Sequence, residues 1–309
     1  MIKTKELRRP ILMYNITEDC QLRCRHCYNE SGGARRYTPA AKRLYSDVDK
    51  ISRVAGAVNF TGGEPFLVPE LPRLIGLTRS NGADAIVTTN GLCLMGHGAP
   101  SLLQRIEGYV YMVKIGMMGA TPETNDFIRG SGHFDVAVKG LDLLANYDVV
   151  SCIKVSLSRH NMHEIESFAR LALDHRVDQI VFGQLVSVGR ASSYLGDLVP
   201  SLDDTWKMGE EVWRVKEKYW GAVKIARHCT LSGLCSEPGY FYTVTTKGSM
   251  SPCLMREDLA IGDIMTDDLG SLIKTTDSVR ENNKMHSSCK DLRPISGPIG
   301  SLDLLFGDA

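Results

Sequence analysis

Six short apolar segments recur along the first two-thirds of the chain, separated by longer stretches of mixed polarity. They cover residues 11–17, 57–60, 84–89, 109–117, 149–157 and 179–186. Each is rich in Val, Ile, Met or Tyr and is bounded by Gly, Asn or Pro, the pattern of strands buried on both faces. Between them, helical patterns are clearest over 134–146 and 162–175. The second follows Asn161 and carries Glu164 three residues on, which reads as a capping-box start. Alternation of this kind predicts right-handed βαβ units in an α/β fold, with a parallel sheet either open or closed into a partial barrel.

An amphipathic stretch over 202–225 leads away from the repeat and predicts a linking helix. Beyond it the texture changes. A hairpin pattern, 240–245 and 249–254 around Lys247-Gly248, lies among cysteines. So short a segment buries little core by itself, and it reads as a small metal-stapled appendage. The expected organisation is a barrel over 1–200, a linking helix over 201–228, and a small domain with a tail over 229–309.

The 309 residues are 43% hydrophobic, enough for a substantial core, and 36 basic residues balance 36 acidic ones. A nucleic-acid partner normally calls for a basic excess, and none is present. Lys5, Arg8 and Arg9 make too short a patch to change that. No apolar run approaches the roughly 20 residues of a membrane helix, and the opening residues lack a secretory pattern. The expectation is a cytoplasmic protein with neither a nucleic-acid nor a membrane partner.

Nine cysteines stand out. An odd number without an export signal argues against a disulfide framework and for metal binding. Cys20, Cys24 and Cys27 follow directly on the first predicted strand. Three thiolates in one tight run can hold three corners of an iron–sulfur cube and leave the fourth iron open. A structural zinc completed by His26 is the alternative. Farther on, Cys229, Cys235, Cys253 and Cys289 provide four thiolates, enough to saturate a second cluster or a zinc. Cys93 and Cys152 lie apart from both groups and read as small buried hydrophobes. His160 and His163 read as solvent-facing or capping groups. Trp206, Trp213, Tyr219 and Trp220, at near-helical spacing, read as core or packing surface.

Cys20-x3-Cys24-x2-Cys27 followed by Tyr28 resembles the signature of the radical S-adenosylmethionine (SAM) superfamily. Thr61-Gly62-Gly63-Glu64-Pro65 resembles that family's glycine-rich segment for the SAM amino group. Glycines there let backbone approach a ligand closely, and Glu64 could accept from an ammonium; in isolation the same string reads as an ordinary turn. Thr88-Thr89-Asn90-Gly91 falls where the resemblance places a polar rim. Asn125-Asp126-x2-Arg129-Gly130 resembles the segment whose arginine meets the SAM carboxylate, with a surface-loop arginine as the alternative. One departure stands out: many relatives carry Ser-x-Asp-Gly where this chain reads Gly116-Met117-Met118-Gly119. The rear cysteines resemble a SPASM or shorter twitch-type auxiliary domain, with one cluster's worth of ligands and no terminal Cys-x2-Cys.

The resemblance implies a partial (β/α)6 barrel with a small C-terminal metal-cluster domain. It also implies a [4Fe-4S] cluster whose open iron binds SAM, one auxiliary [4Fe-4S] cluster, and an electron donor such as flavodoxin or ferredoxin. The implied chemistry is reductive SAM cleavage to a 5′-deoxyadenosyl radical that takes a hydrogen atom from a substrate C–H. A thiol beside the substrate could return a hydrogen atom, making the outcome epimerisation rather than oxidation; Cys253, Cys152 and Cys93 are the candidates. Nineteen residues precede Cys20, which leaves no room ahead of it for a leader-peptide-binding domain. That tilts the expectation toward antibiotic biosynthesis on a small polar substrate such as an aminoglycoside or aminocyclitol. A peptide- or protein-modifying maturase is the alternative, and a non-catalytic zinc-stapled binding protein is the rival from another class.

Overall fold

The computed structural model describes residues 9–33, 37–227, 241–253 and 260–274. The six apolar segments form parallel strands: β1 (Ile11–Thr17), β2 (Ala57–Gly62), β3 (Asp84–Thr89), β4 (Val110–Met117), β5 (Val150–Leu157) and β6 (Gln179–Gln184). Helices α1 (Ala41–Val54), α2 (Leu71–Ser80), α3 (Ala99–Ile106), α4 (Pro122–Arg129), α5 (His133–Leu144) and α6 (Ile165–Asp174) occupy the crossovers. The strands lie in sequence order, as right-handed crossovers around a partial barrel require.

Period-two alternation divides each strand between two cores. Leu12, Tyr14 and Ile16 of β1 face the helices, where Leu44, Val48 and Ile51 of α1 meet them. The Tyr14 hydroxyl donates to the buried Asp47 carboxylate at 2.7 Å, and Arg43 pairs with the same oxygen at 3.0 Å. On the concave side, Ile11, Ala57, Ile86, Met112, Cys152, Val181 and Ala226 form a second apolar cluster, the floor of the barrel interior.

Two sequence expectations fail locally. The amphipathic stretch 202–225 is not one helix: α7 (Leu202–Lys218) ends in a turn with Gly221 at φ +78°, and β7 (Lys224–Arg227) then pairs with β6. A left-handed backbone suits glycine and breaks the helix. The capping box belongs to α7, not to α6: Ser201 Oγ accepts from the Asp204 N–H, and Asp204 accepts from the Ser201 N–H. Asn161 instead accepts from the Ser158 N–H and donates to the Met118 and Ser156 carbonyls. Glu164 accepts from the Ala120 N–H and the Thr124 hydroxyl across the fold. His163 is exposed as expected, whereas His160 stacks on Phe127 with ring centroids 4.3 Å apart. Trp206 and Trp213 lie off the buried face of α7 and Trp220 is 70% exposed, whereas Tyr219 packs against the core as expected.

The hairpin forms as β8 (Phe241–Val244) and β9 (Ser249–Ser251), continued by β10 (Gly262–Asp263). It does not stand apart from the barrel. β8 pairs in parallel with β1 from Ile11↔Phe241 to Tyr14↔Val244, so the sheet runs β10-β9-β8-β1-β2-β3-β4-β5-β6-β7. No helix among the described residues is long and apolar enough to cross a membrane.

Candidate active site

The carboxyl ends of β1–β6 surround a cavity of about 220 Å³, against the roughly 10–15 Å³ that one water needs. This is the end of a parallel barrel where side chains from several strands converge on one ligand. One wall is the loop after β1, which brings Cys20, Cys24, Cys27, Tyr28 and His26 to the cavity.

That loop is tied down by groups distant in sequence. The Arg190 guanidinium donates to the Cys24 carbonyl at 2.8 Å and the Ser31 carbonyl at 2.7 Å, and the Arg190 N–H reaches the Cys27 carbonyl at 3.0 Å. The Arg25 N–H donates to the Ile128 carbonyl. The thiols face N–H donors: the Leu22 N–H lies 3.4 Å and the Asn90 amide 3.6 Å from Cys20 Sγ, and Arg129 Nη1 lies 3.8 Å from Cys24 Sγ. Burial pushes the Cys20 thiol up to about 11 and raises that of Cys27 as well. Metal binding at these sulfurs therefore displaces protons. Among the described residues, no group of three or more His, Cys, Asp or Glu is arranged to hold a single metal ion. All three cysteines line the same cavity. His26 Nδ1 is buried without a hydrogen-bond partner, and burial, then Arg129 and Arg190, hold the ring well below its usual pKa.

The glycine-rich segment works differently from the expectation. Gly62 and Gly63 line the cavity, but what requires glycine is the cysteine loop itself: a Cβ on Gly63 would overlap the Asp19 carbonyl, and one on Gly62 the Thr17 carbonyl. The Gly63 and Glu64 N–H groups donate to those same carbonyls at 2.7 Å. Glu64 and Pro65 do not line the cavity. Fully buried, Glu64 accepts from the Thr89 hydroxyl at 2.7 Å, the Asn90 N–H at 2.7 Å and the Phe66 N–H at 3.1 Å. It thereby fixes Thr89 and Asn90, which do line the cavity. His133 Nε2 meets the Asn90 carbonyl at 2.9 Å from the other side.

Arg129 is no surface arginine. It leaves the end of α4, turns inward and lies over Gly116, where a Cβ would collide with its guanidinium. The Gly-Met-Met-Gly departure is thus the space that Arg129 occupies. Tyr28 lines the cavity and donates to Asn15 Oδ1 at 3.0 Å.

The three thiols considered as hydrogen donors do not line the cavity. Cys152 is sealed in the apolar floor cluster, with burial pushing its thiol up to about 11. Cys93 sits behind the cysteine loop, accepting from Gln21 Nε2 at 3.2 Å. Cys253 follows β9 at the far side of β8 and is partly exposed. Cys229, Cys235 and Cys289 lie outside the described residues.

Sequence reasoning missed Arg190, Lys114, Lys154 and His133. Arg190 is 166 residues from Cys24 in the chain, so only the fold reveals it. The lysines had a legible signal: each interrupts an apolar strand on its concave register.

The chain matches the family model described as the Radical SAM superfamily over residues 14–172, just over half its length. It is 28% identical over 195 residues to the Fe-coproporphyrin III synthase of Methanosarcina barkeri, covering 62% of this chain and 47% of that protein. It is 30% identical over 195 residues to mycofactocin maturase MftC of Mycobacterium tuberculosis, covering 62% and 49%. The chain spans about half the length of the curated relatives it matches. Among solved structures, anSMEcpe with bound AdoMet superposes with a TM-score of 0.69 at 18% identity over 91% of this chain and 86% of that one. Streptococcus suis SuiB bound to precursor peptide SuiA gives 0.68 at 16% identity over 86% and 65%. Both share the barrel fold. The matched span holds the cysteine loop, the glycine-rich segment and Arg129, and the chain belongs to the radical SAM superfamily, which implies a [4Fe-4S] cluster and SAM.

Proposed function

We propose that this protein is a peptide-modifying radical SAM enzyme that takes a hydrogen atom from one C–H centre of a peptide held in the barrel. When bound, the cluster and SAM supply the 5′-deoxyadenosyl radical that does this. The chain's own residues have three tasks. Cys20, Cys24 and Cys27 hold three irons, while Arg190 and the Gly62-Gly63 segment fix the loop that presents them. Tyr28, Thr89, Asn90 and Arg129 bind SAM, Arg129 through its guanidinium and a carboxylate. The apolar floor excludes water from beneath the substrate.

The observation that carries the peptide reading over the aminoglycoside one is the sign of the cavity. Among the described residues no carboxylate lines it, whereas Lys114, Lys154, Arg129 and Arg190 do. A polycationic aminoglycoside would be repelled from such a wall; an acidic or neutral peptide would not. Of the relatives, one is named a maturase and one solved neighbour is bound to a precursor peptide, which supports the peptide reading, while another is a porphyrin synthase. An auxiliary [4Fe-4S] cluster on Cys229, Cys235, Cys253 and Cys289, and reduction by a flavodoxin or ferredoxin, complete the proposal.

The test is anaerobic reconstitution followed by assay of 5′-deoxyadenosine with deuterated peptide pools and, in parallel, deuterated aminoglycosides. Deuterium in 5′-deoxyadenosine from peptide alone supports the reading. Deuterium only from the aminoglycosides overturns it. About eight irons per chain support the second cluster, and about four remove it.

A further inference from the structure

We propose that Lys114 and Lys154 form a carboxylate-binding subsite inside the barrel that receives an anionic group of the substrate. That group is either an acidic side chain or a free C-terminal carboxylate. The inference rests on the cavity being the substrate site but not on the substrate's being a peptide.

The two lysines come from adjoining parallel strands. On β4, Met112, Lys114 and Gly116 point to the concave side, while Val113 and Ile115 point to the helices. Register sets Lys114 opposite Thr88 and Cys152, and Lys154 opposite Gly116 and Val181. Both lysines line the cavity directly above its apolar floor.

Lys114 is 7% exposed. Burying an ammonium costs several kcal/mol unless a partner repays it. Among the described residues no carboxylate pairs with Lys114, and the one titratable group that acts on it is the Cys152 thiol, which burial keeps protonated. Packing alone does not call for lysine here, since the layer beneath is Ile86, Met112 and Val181, and a methionine would fill the space. Burial lowers the Lys114 pKa, which a bound carboxylate would restore. The other two cations of the cavity are engaged elsewhere: Arg190 on the carbonyls of the cysteine loop, Arg129 beside Cys24. Lys114 therefore offers a ligand positive charge deep in the barrel, with Lys154 lining the same cavity.

The experiment is calorimetric titration of the reconstituted full-length protein at saturating SAM and constant ionic strength. The probes are N-acetyl-L-glutamate α-amide (a side-chain carboxylate), N-acetyl-L-alanine (a terminal carboxylate) and the neutral N-acetyl-L-glutamine amide. At least one carboxylate should bind in the millimolar range and the neutral probe about tenfold more weakly, which names the carboxylate's source. Lys114→Met should weaken that carboxylate about tenfold and leave SAM affinity within about twofold, while Lys114→Arg retains most of it. Lys154→Met, at a half-buried position, gives a second reading if Lys114→Met fails to fold.

Equal binding of the neutral probe would overturn the proposal, as would unchanged carboxylate binding in the variants or no binding of either carboxylate up to about 50 mM. A fall in SAM affinity parallel to that of the probe would overturn it too, by assigning the lysines to the cosubstrate. Carboxylate binding without peptide turnover would leave this subsite standing and remove the peptide reading alone.

Discussion

Arg190→Ala removes two charge-assisted hydrogen bonds from the loop that carries Cys20, Cys24 and Cys27, those to the Cys24 and Ser31 carbonyls at 2.8 and 2.7 Å. At the lower end of about 1.5 kcal/mol for each bond to a charged group, the loss is about 3 kcal/mol. That is a little over a hundredfold in the equilibrium between held and released loop. The bonds secure the loop rather than the sheet, so the loss is local: the Arg190 backbone N–H still meets Cys27, and the β4–β5 ladder is untouched. Hydrogen exchange read by mass spectrometry on peptides covering 22–33 should therefore speed up by about two orders of magnitude. Peptides covering 112–117 and 152–157 should exchange as in the wild type. In the same preparations, iron retained after desalting should fall. Arg190→Lys keeps the charge but cannot span both carbonyls, and should lie between the two. Unchanged exchange over 22–33 in Arg190→Ala would refute the argument that this arginine secures the cluster loop.

Cys20→Ala, Cys24→Ala and Cys27→Ala should each abolish 5′-deoxyadenosine formation, and retained cleavage in any one would remove that residue from the ligand set. Gly63→Ala places a methyl against the Asp19 carbonyl and should lower iron loading and melting temperature together, by about 1–3 kcal/mol of overpacking strain; calorimetry of the metal-free protein separates the two. His133 is held at about 4 by burial, then by Arg129. Its folded value lies below the usual 6.5, so the unfolded chain binds the extra proton first as pH falls. Its contribution is complete above about 6.5 and is lost on acidification toward 4, a change of about 3 kcal/mol. Denaturant titrations of wild type and His133→Gln should diverge across that window, and parallel curves would contradict the assignment.

The strands were legible because burial on both faces leaves uninterrupted apolar runs: β1 and β3 have the predicted bounds. Helix ends were less so. Asn161 and Glu164 have the spacing of a capping box, but Met118, Ala120 and Thr124 compete for their side chains and win. Nothing local distinguishes the two outcomes. At the site, the cysteine spacing and Arg129 could be read directly, since their chemistry is carried by residue type. In sequence Glu64 reads as facing a ligand because its acceptors are obvious, whereas the Thr89 and Asn90 donors that bond to them are 25 and 26 residues away. Lys114 needed register: only when β4 is set against β5 does a lone lysine in an apolar strand become a cation inside a barrel.

The pairing of β8 with β1 means that the amino-terminal strand is not an edge. A chain cut after residue 228, where a domain boundary would be drawn from sequence, would leave the N–H and C=O groups of Ile11–Tyr14 on that side without partners. Such a rim is a template for another molecule's strand. It would also sever the links from Thr246 to Glu18, from Arg43 to the Lys247 carbonyl and from Lys50 to the Ile264 carbonyl. The rear of the molecule is therefore a lateral brace for the strand that launches the cysteines. Removing it should yield a sticky, self-associating remnant rather than a smaller working barrel.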